Sequence, residues 1–138
     1  MGKALLKQGR DAEALGKFRE ALRLNPHDFQ TLTFLARVLA SDENSQIRNG
    51  AEAIVLAGKA NDLTGGENPF VLDTLAMSYA EVGRFQDAQQ IEQHAIQLAQ
   101  AAALEEANAM LQRLELYKSS RPYHETFTNS SSQNLPKN

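Results

Sequence analysis

The sequence predicts an all-α fold built from repeated antiparallel helix pairs, and three observations lead to it. Apolar residues recur at the i, i+3, i+4, i+7 spacing of a helix face along most of residues 1–118. No stretch sustains the apolar and polar alternation of a half-buried strand. Gly, Pro, Asn and Asp separate the helical stretches at regular intervals, which indicates a structural repeat.

Composition excludes several classes of function. The chain of 138 residues suits one domain, and the lack of cysteine removes disulfides, thiolate metal sites and a cysteine nucleophile. A net charge of −3 without a local cluster of Lys and Arg argues against a nucleic-acid partner. No apolar stretch approaches the roughly 20 residues that span a bilayer, and no apolar signal core follows the N-terminus. We therefore expect a cytoplasmic protein without a membrane partner.

The first helix pair is predicted to be incomplete. A short helix over residues 2–8 is expected to end in a turn at Gly9, and an amphipathic helix follows over residues 11–24. Pro26 stops this helix, because the residue before a proline avoids the helical region. Phe18 lies on the apolar face, so we expect it to pack between this pair and the next.

The second pair is delimited by a cap and a polar loop. Asp28 is suited to cap a helix over residues 29–40. Residues 41–49 are polar and predict a loop, after which the helical pattern resumes over residues 50–63. The sequence TGGENP ends that helix, because glycine adopts the left-handed conformation of a helix C-cap.

The third pair begins at Asn68, which caps a helix over residues 69–82 with Pro69 in its first turn. Gly83 separates it from a second helix over residues 85–99.

Small residues recur at equivalent places of the three pairs, where close helix crossings need them. The second helix of each pair opens with an alanine, and a further alanine lies near its end. Both sets are spaced by 39 and then 35 residues: Ala14, Ala53 and Ala88, and Ala21, Ala60 and Ala95.

This pattern resembles the tetratricopeptide repeat family, whose unit is a helix pair of about 34 residues. The third repeat matches the signature at Leu72, Leu75, Ala76, Tyr79, Gly83, Ala88 and Ala95, the second at Leu32, Leu35, Ala36, Leu39, Ala53 and Ala60, and the first at Leu5, Gly9, Ala14, Phe18, Ala21 and Pro26. The chain departs from the pattern in the insertion within 41–49, at Glu92 where the family usually has an aromatic residue, and at Gln100 where proline is common.

The resemblance implies a right-handed superhelical solenoid over residues 1–118. Its repeats are expected at about 1–28, 29–68 and 69–100, followed by a capping helix over 101–118. The opening residues of the first repeat would precede Met1, so the chain resembles the C-terminal part of a larger bacterial multi-repeat protein.

The capping helix is expected to bend back near residues 100–102, because a rod over residues 85–118 would expose its apolar seam unless a dimer covered it. That seam is predicted to consist of Leu104, Ala107, Leu111 and Leu114. Residues 119–138 are rich in Ser, Thr, Asn and Pro and are predicted to form a polar tail that does not order on its own.

Candidate catalytic, metal and cofactor sites are weak. The three histidines lack ligand spacing, residues 41–45 lack the glycine of a calcium loop, and no nucleophile has a base at a recognisable spacing. We expect no catalysis, no metal and no cofactor.

In the family the first helix of each pair lines a concave groove that binds a peptide or a protein segment. The groove positions correspond here to Lys3, Leu6, Lys7, Thr33, Arg37, Ser41, Phe70, Asp73, Met77 and Glu81. The lysines and Arg37 would make one end basic, and Asp73 with Glu81 would make the other acidic. Arg19 and Glu92 are expected on the outer helices.

The resemblance therefore predicts a protein-interaction module with an unidentified protein or peptide partner. Two alternatives are an accessory domain that positions substrate for a larger enzyme such as a glycosyltransferase, and a self-assembly module that forms homo-oligomers through exposed terminal helices.

Overall fold

The computed structural model describes the backbone of residues 2–125 and the side chains of residues 12–125. This part of the chain contains six helices and no strand, which confirms the all-α prediction. The helices are α1 (Gly2–Leu24), α2 (Phe29–Ser41), α3 (Gly50–Leu63), α4 (Pro69–Glu81), α5 (Phe85–Ala101) and α6 (Glu106–Lys118).

Consecutive helices pack against each other from α1 to α6, and α2 also packs against α4. The pairs therefore stack as a helical repeat. Close crossings depend on small side chains, because Ala53, Ala60 and Ala95 are fully buried where larger residues would push the helices apart. The recurring alanines of the second and third pairs thus lie in the core, whereas Ala14 is half-buried and Ala21 is exposed.

Three of the predicted helix boundaries are confirmed by their caps. The Asp28 side chain accepts hydrogen bonds from the backbone N–H groups at the start of α2, and Asn68 does the same for α4. Gly83 has a φ of 84°, a left-handed conformation that favours glycine and reverses the chain between α4 and α5.

The first helix departs from the prediction. α1 continues without a break from Gly2 to Leu24, so the predicted turn at Gly9 is wrong. Glycine inside a helix costs only about 1 kcal/mol relative to alanine. A turn at Gly9 would pack only residues 2–8 against the longer helix. The apolar area buried by so short a segment does not offset the helical hydrogen bonds that the turn would break.

Phe18 packs against the second pair, as predicted. It is half-buried beside the core that contains Leu35, and its ring centroid lies 5.0 Å from that of Phe34 in α2. This contact joins α1 to the rest of the repeat.

The bend before the terminal helix is confirmed, and no rod forms over residues 85–118. α5 ends at Ala101, Ala103 adopts a left-handed φ of 57°, and α6 folds back against α5. The helix itself begins later than predicted, at Glu106.

The buried seam of α6 shares Ala107 and Leu114 with the predicted one, whereas Leu104 precedes the helix and is half-buried. The buried members of the seam follow helical spacing and are Ala107, Met110, Arg113, Leu114 and Tyr117. Leu111 was expected in the seam but is 40% exposed, because the seam runs through Met110 and Leu114 and leaves Leu111 beside it.

Two substitutions on α6 test this packing. Leu114→Ala should lower the free energy of unfolding by about 2–5 kcal/mol, because Leu114 is only 6% exposed and its removal leaves a cavity. Leu111→Ala makes the same chemical change on the same helix and should cost about 1 kcal/mol or less. Urea unfolding followed by far-UV circular dichroism measures both. Equal losses would contradict the placement of α6.

Candidate functional site

The chain after α6 turns back across the faces of three helices. Ser120 adopts a left-handed φ of 57°, and the N–H of Arg121 donates to the carbonyl of Leu116 at 2.9 Å, so α6 ends in a Schellman-type cap. Residues 119–125, here called the tail segment, then reach α2, α4 and α6 through side-chain contacts. We call the surface of α2, α4 and α6 beneath the tail segment the groove.

The backbone of Glu125 pairs with the loop that follows α2. Its N–H donates to the carbonyl of Ser41 at 2.7 Å, and its carbonyl accepts from the N–H of Glu43 at 3.0 Å. The pairing forms a single parallel β-bridge between Glu125 and Asp42. Both backbone groups of Glu125 are therefore satisfied within residues 41–49, where the sequence has its insertion: the N–H by Ser41 at the end of α2, and the carbonyl by Glu43 in the loop that follows.

The side chain of Glu125 is bound by an arginine fork. Arg37 Nε lies 2.6 Å from Oε2 and Arg37 Nη2 lies 3.0 Å from Oε1, a bidentate arrangement. Ser41 Oγ lies 2.9 Å from Oε2, and the Tyr123 hydroxyl donates to Oε1 at 3.1 Å. Burial alone would raise the pKa of Glu125, but the Arg37 hydrogen bonds and charge outweigh it and lower that pKa below 4.5.

The aromatic ring of Tyr123 lies on a second arginine. The guanidinium of Arg113 is 4.9 Å from the ring centroid. Arg113 is itself held by Asp73, to which it donates at 2.9 and 2.8 Å, and both side chains are almost completely buried. Tyr123 also packs against the hydrophobic cluster that includes the fully buried Met77.

A buried acid lies beside this ion pair. Glu92 is completely buried, and neither of its carboxylate oxygens makes a hydrogen bond of ordinary geometry with the described residues. Burial and the nearby charge of Asp73 raise the pKa of Glu92 to about 11, so the group carries a proton at neutral pH. Glu92 lies on α5, the second helix of its pair, as expected, but its side chain is buried rather than on the surface of that helix. α5 turns this position inward, where the family usually has an aromatic side chain.

A third set of charged groups connects the tail segment, the end of α4 and the loop after α2 at the rim of the groove. His124 Nε2 lies 2.8 Å from a carboxylate oxygen of Glu81, and Arg48 donates to the other oxygen at 2.8 Å. Arg48 also donates to the carbonyls of Asp42 and Glu43 at 2.7 and 3.1 Å. The insertion loop is thus fixed to the end of α4, which holds its backbone in position for Glu125.

The predicted groove residues have different environments. Arg37, Met77 and Glu81 meet around the tail segment, whereas Asp73 lies beneath it in the pair with Arg113. The Thr33 hydroxyl donates to the carbonyl of Phe29 in its own helix at 2.6 Å.

Phe70 is 44% exposed and lies apart, in an open depression shared with Leu98 and Leu104. Lys3, Leu6 and Lys7 lie outside the residues whose side chains are described.

The charges of the groove are largely paired within the chain. Arg37, which was expected at the basic end of the groove, forms an ion pair with Glu125. At the expected acidic end, Asp73 is paired with Arg113, and Glu81 with Arg48.

Sequence reasoning missed the residues that occupy the groove. Composition predicts that the unordered tail begins at Ser119. RPYHE at 121–125, however, carries an arginine, an aromatic residue and a glutamate, and the Ser- and Asn-rich stretch begins later. That difference was the available signal. The partner of Arg113 could not be read from spacing, since Asp73 lies in another helix.

The fold and groove define a helical-repeat protein whose surface holds an extended segment. Residues 1–28 match the family model of the tetratricopeptide repeat, which is the range where the first repeat was predicted. In the structure most of this range is the single helix α1. A comparison with curated proteins finds no match.

The family match also bears on the class of function. Tetratricopeptide repeats generally mediate protein–protein interaction and are typically non-enzymatic. Across residues 2–125, no helix combines the length and apolarity needed to cross a membrane.

Replacement of the buried acid tests the charged cluster. The pKa of Glu92 is 4.5 in the unfolded chain and about 11 in the folded protein, so the folded protein keeps a proton that the unfolded chain loses. The contribution of Glu92 to stability is therefore fully present below about pH 4.5 and declines as the pH rises toward about 11. Glu92→Gln has no proton to lose. Its free energy of unfolding relative to the wild type should therefore rise between pH 5 and 9, by up to about 1.4 kcal/mol per pH unit.

Urea unfolding at several pH values measures this difference. Glu106→Gln on the exposed surface controls for the loss of one carboxylate. Parallel stability curves for the wild type and Glu92→Gln would show that Glu92 is ionised in the folded protein.

Proposed function

We propose that the protein is an interaction module that binds an extended segment of a partner protein in the groove of α2, α4 and α6. The observation that carries the proposal is that this groove already holds an extended segment of the chain through contacts specific for a peptide. Two hydrogen bonds reach the backbone of Glu125, and an arginine fork binds its side chain.

These contacts combine two general modes of peptide recognition. Backbone pairing with an exposed loop edge supplies affinity that does not depend on side chains, as in β-strand addition. The Arg37 fork and the platform of Arg113 add selectivity for the side chains of the ligand. Arg37 and Ser41 are among the positions that the family resemblance assigns to the groove, and Arg113 of α6 is an addition to them.

The surface available to a partner extends beyond the tail segment. Phe70 is exposed at the start of α4, beside an open depression lined in part by Leu98 and Leu104. Aromatic side chains contribute strongly to binding when a partner covers them. We include Phe70 and Thr33 in the proposed binding surface, with Arg37, Met77, Glu81 and the N-terminal residues Lys3, Leu6 and Lys7.

Selection from a library of random peptides tests the proposed function without assuming a motif. The target is the full chain as wild type and as an open variant, which carries Tyr123→Ser and Glu125→Gln to weaken docking of the tail segment. Selected peptides should bind the open variant with a Kd around micromolar, about 8 kcal/mol. Arg37→Gln should weaken them at least about 10-fold, because it removes a charge-assisted fork.

Lys59→Gln provides the matched control. It removes one positive charge from an exposed position of α3, outside the groove, and should leave the affinity unchanged. Peptides that respond to Lys59→Gln but ignore Arg37→Gln would place binding outside the groove. A selection without binders would contradict the proposed function altogether.

A further inference from the structure

We propose that the groove recognises an extended segment in which an aromatic residue is followed two positions later by a glutamate, and that residues 121–125 of the chain are its internal competitor. This inference rests on the proposed function, since it names the ligand of the same groove.

The spacing follows from the alternation of side chains along an extended backbone. Tyr123 and Glu125 both face the groove, where they contact Arg113 and Arg37. His124 between them reaches Glu81 at the rim and is 33% exposed in its side chain. Residues i and i+2 of an extended segment lie on one side and residue i+1 on the other. The groove therefore reads the first and third positions.

The requirement for an acid follows from the charges left when the tail segment is removed. Arg113 is balanced by Asp73, and Glu92 is protonated at neutral pH. Among the described residues of the groove, Glu125 is the carboxylate that Arg37 binds with two hydrogen bonds. When the tail segment leaves, Arg37 loses this partner. An empty groove thus leaves the Arg37 guanidinium without this partner, and a carboxylate is the group that restores a bidentate pair.

The requirement for an aromatic residue follows from the platform beneath Tyr123. A guanidinium fixed by Asp73 lies under the ring, and apolar side chains around Met77 pack against it. This surface combines a cation with apolar contacts, which suits the face of an aromatic ring. The Tyr123 hydroxyl adds a hydrogen bond to the glutamate two residues later.

The contacts of the tail segment are suited to exchange. The side chains of Arg37 and Glu125 remain 35% and 20% exposed, so water reaches the ion pair. When the pair opens, water solvates both charges and offsets the lost interaction. The ligand is identified as a peptide because two of the contacts are made to its backbone. A small carboxylate would engage only Arg37 and Ser41.

Competition within the chain sets the size of the expected effect. A short connection such as residues 119–122 gives the docked residues an effective concentration of about millimolar. If the tail segment docks with an intrinsic Kd of about 100 µM, a competing peptide would then bind the wild type about 10-fold more weakly than it binds an unoccupied groove.

The test uses a fluorescent, end-capped peptide with the sequence SSRPYHET, titrated into the full-length wild type and the open variant defined above. The open variant should bind at least about 10-fold more tightly. Peptides with Ser in place of Tyr, or Gln in place of Glu, should bind at least about 10-fold more weakly than the parent peptide. Equal affinity for both chains, or for all three peptides, would overturn the inference.

A measurement on the wild type covers the case in which the open variant does not fold. With the unlabelled peptide in excess, the amide NMR signal of Glu125 should move to a random-coil position, while that of Glu43 should stay near its bound position. Unmoved signals at saturating peptide would overturn the inference.

The two proposals fail separately. If library peptides bind through Arg37 but the parent peptide does not bind, the motif is wrong and the proposed function stands. If neither binds, both proposals fail.

Discussion

The buried ion pair between Asp73 and Arg113 supports the whole site. It joins α4 to α6, and it holds the guanidinium on which Tyr123 lies. A charge pair removed from water is stable only when its geometry is good, and here two hydrogen bonds connect the partners. Burial raises the pKa of Glu92, and the charge of the same carboxylate raises it further, so this acid is kept neutral. One interaction thereby fixes both the shape and the charge of the groove.

The groove combines features that an uninterrupted repeat would lack. The insertion after α2 supplies a backbone edge for Glu125, and Arg48 holds that edge against α4. A repeat without these additional residues would pass directly from one helix to the next. The insertion and Glu92 both depart from the family pattern, and both lie at the candidate site. Local rules are most often broken where function requires it.

Much of the fold was predictable because its signals are local. Asp28, Asn68 and Gly83 cap or reverse the chain through their own side chains or backbone freedom, so their roles could be predicted from the sequence. The predicted turn at Gly9 is wrong, because a glycine turn between two helices is stable only when the helices bury enough apolar area against each other. The prediction that Leu111 lies in the buried seam of α6 is wrong. The packing of α6 against α5 decides which residues form the seam, and the sequence alone does not distinguish Leu111 from its buried neighbour Met110.

The site was less predictable because it depends on contacts between distant positions. Arg37 was identified from its place on α2, but its partner lies 88 positions later. Glu92 was recognised as unusual at its position, yet only the packing of α5 shows that it is buried. The tail segment was predicted to remain unordered since its own apolar area is small. Its order comes from Arg37, Arg113 and the backbone of the insertion loop.

Native-state hydrogen exchange tests most directly whether the tail segment is docked and still able to leave the groove. The amide of Glu125 donates to Ser41, and that of Leu75 lies in the buried part of α4. We expect Glu125 to be protected but to exchange through a local opening, with a free energy well below that of Leu75. Exchange of Glu125 at the unprotected rate would show that the tail segment does not dock. Exchange only through global unfolding would show that it is a permanent part of the fold.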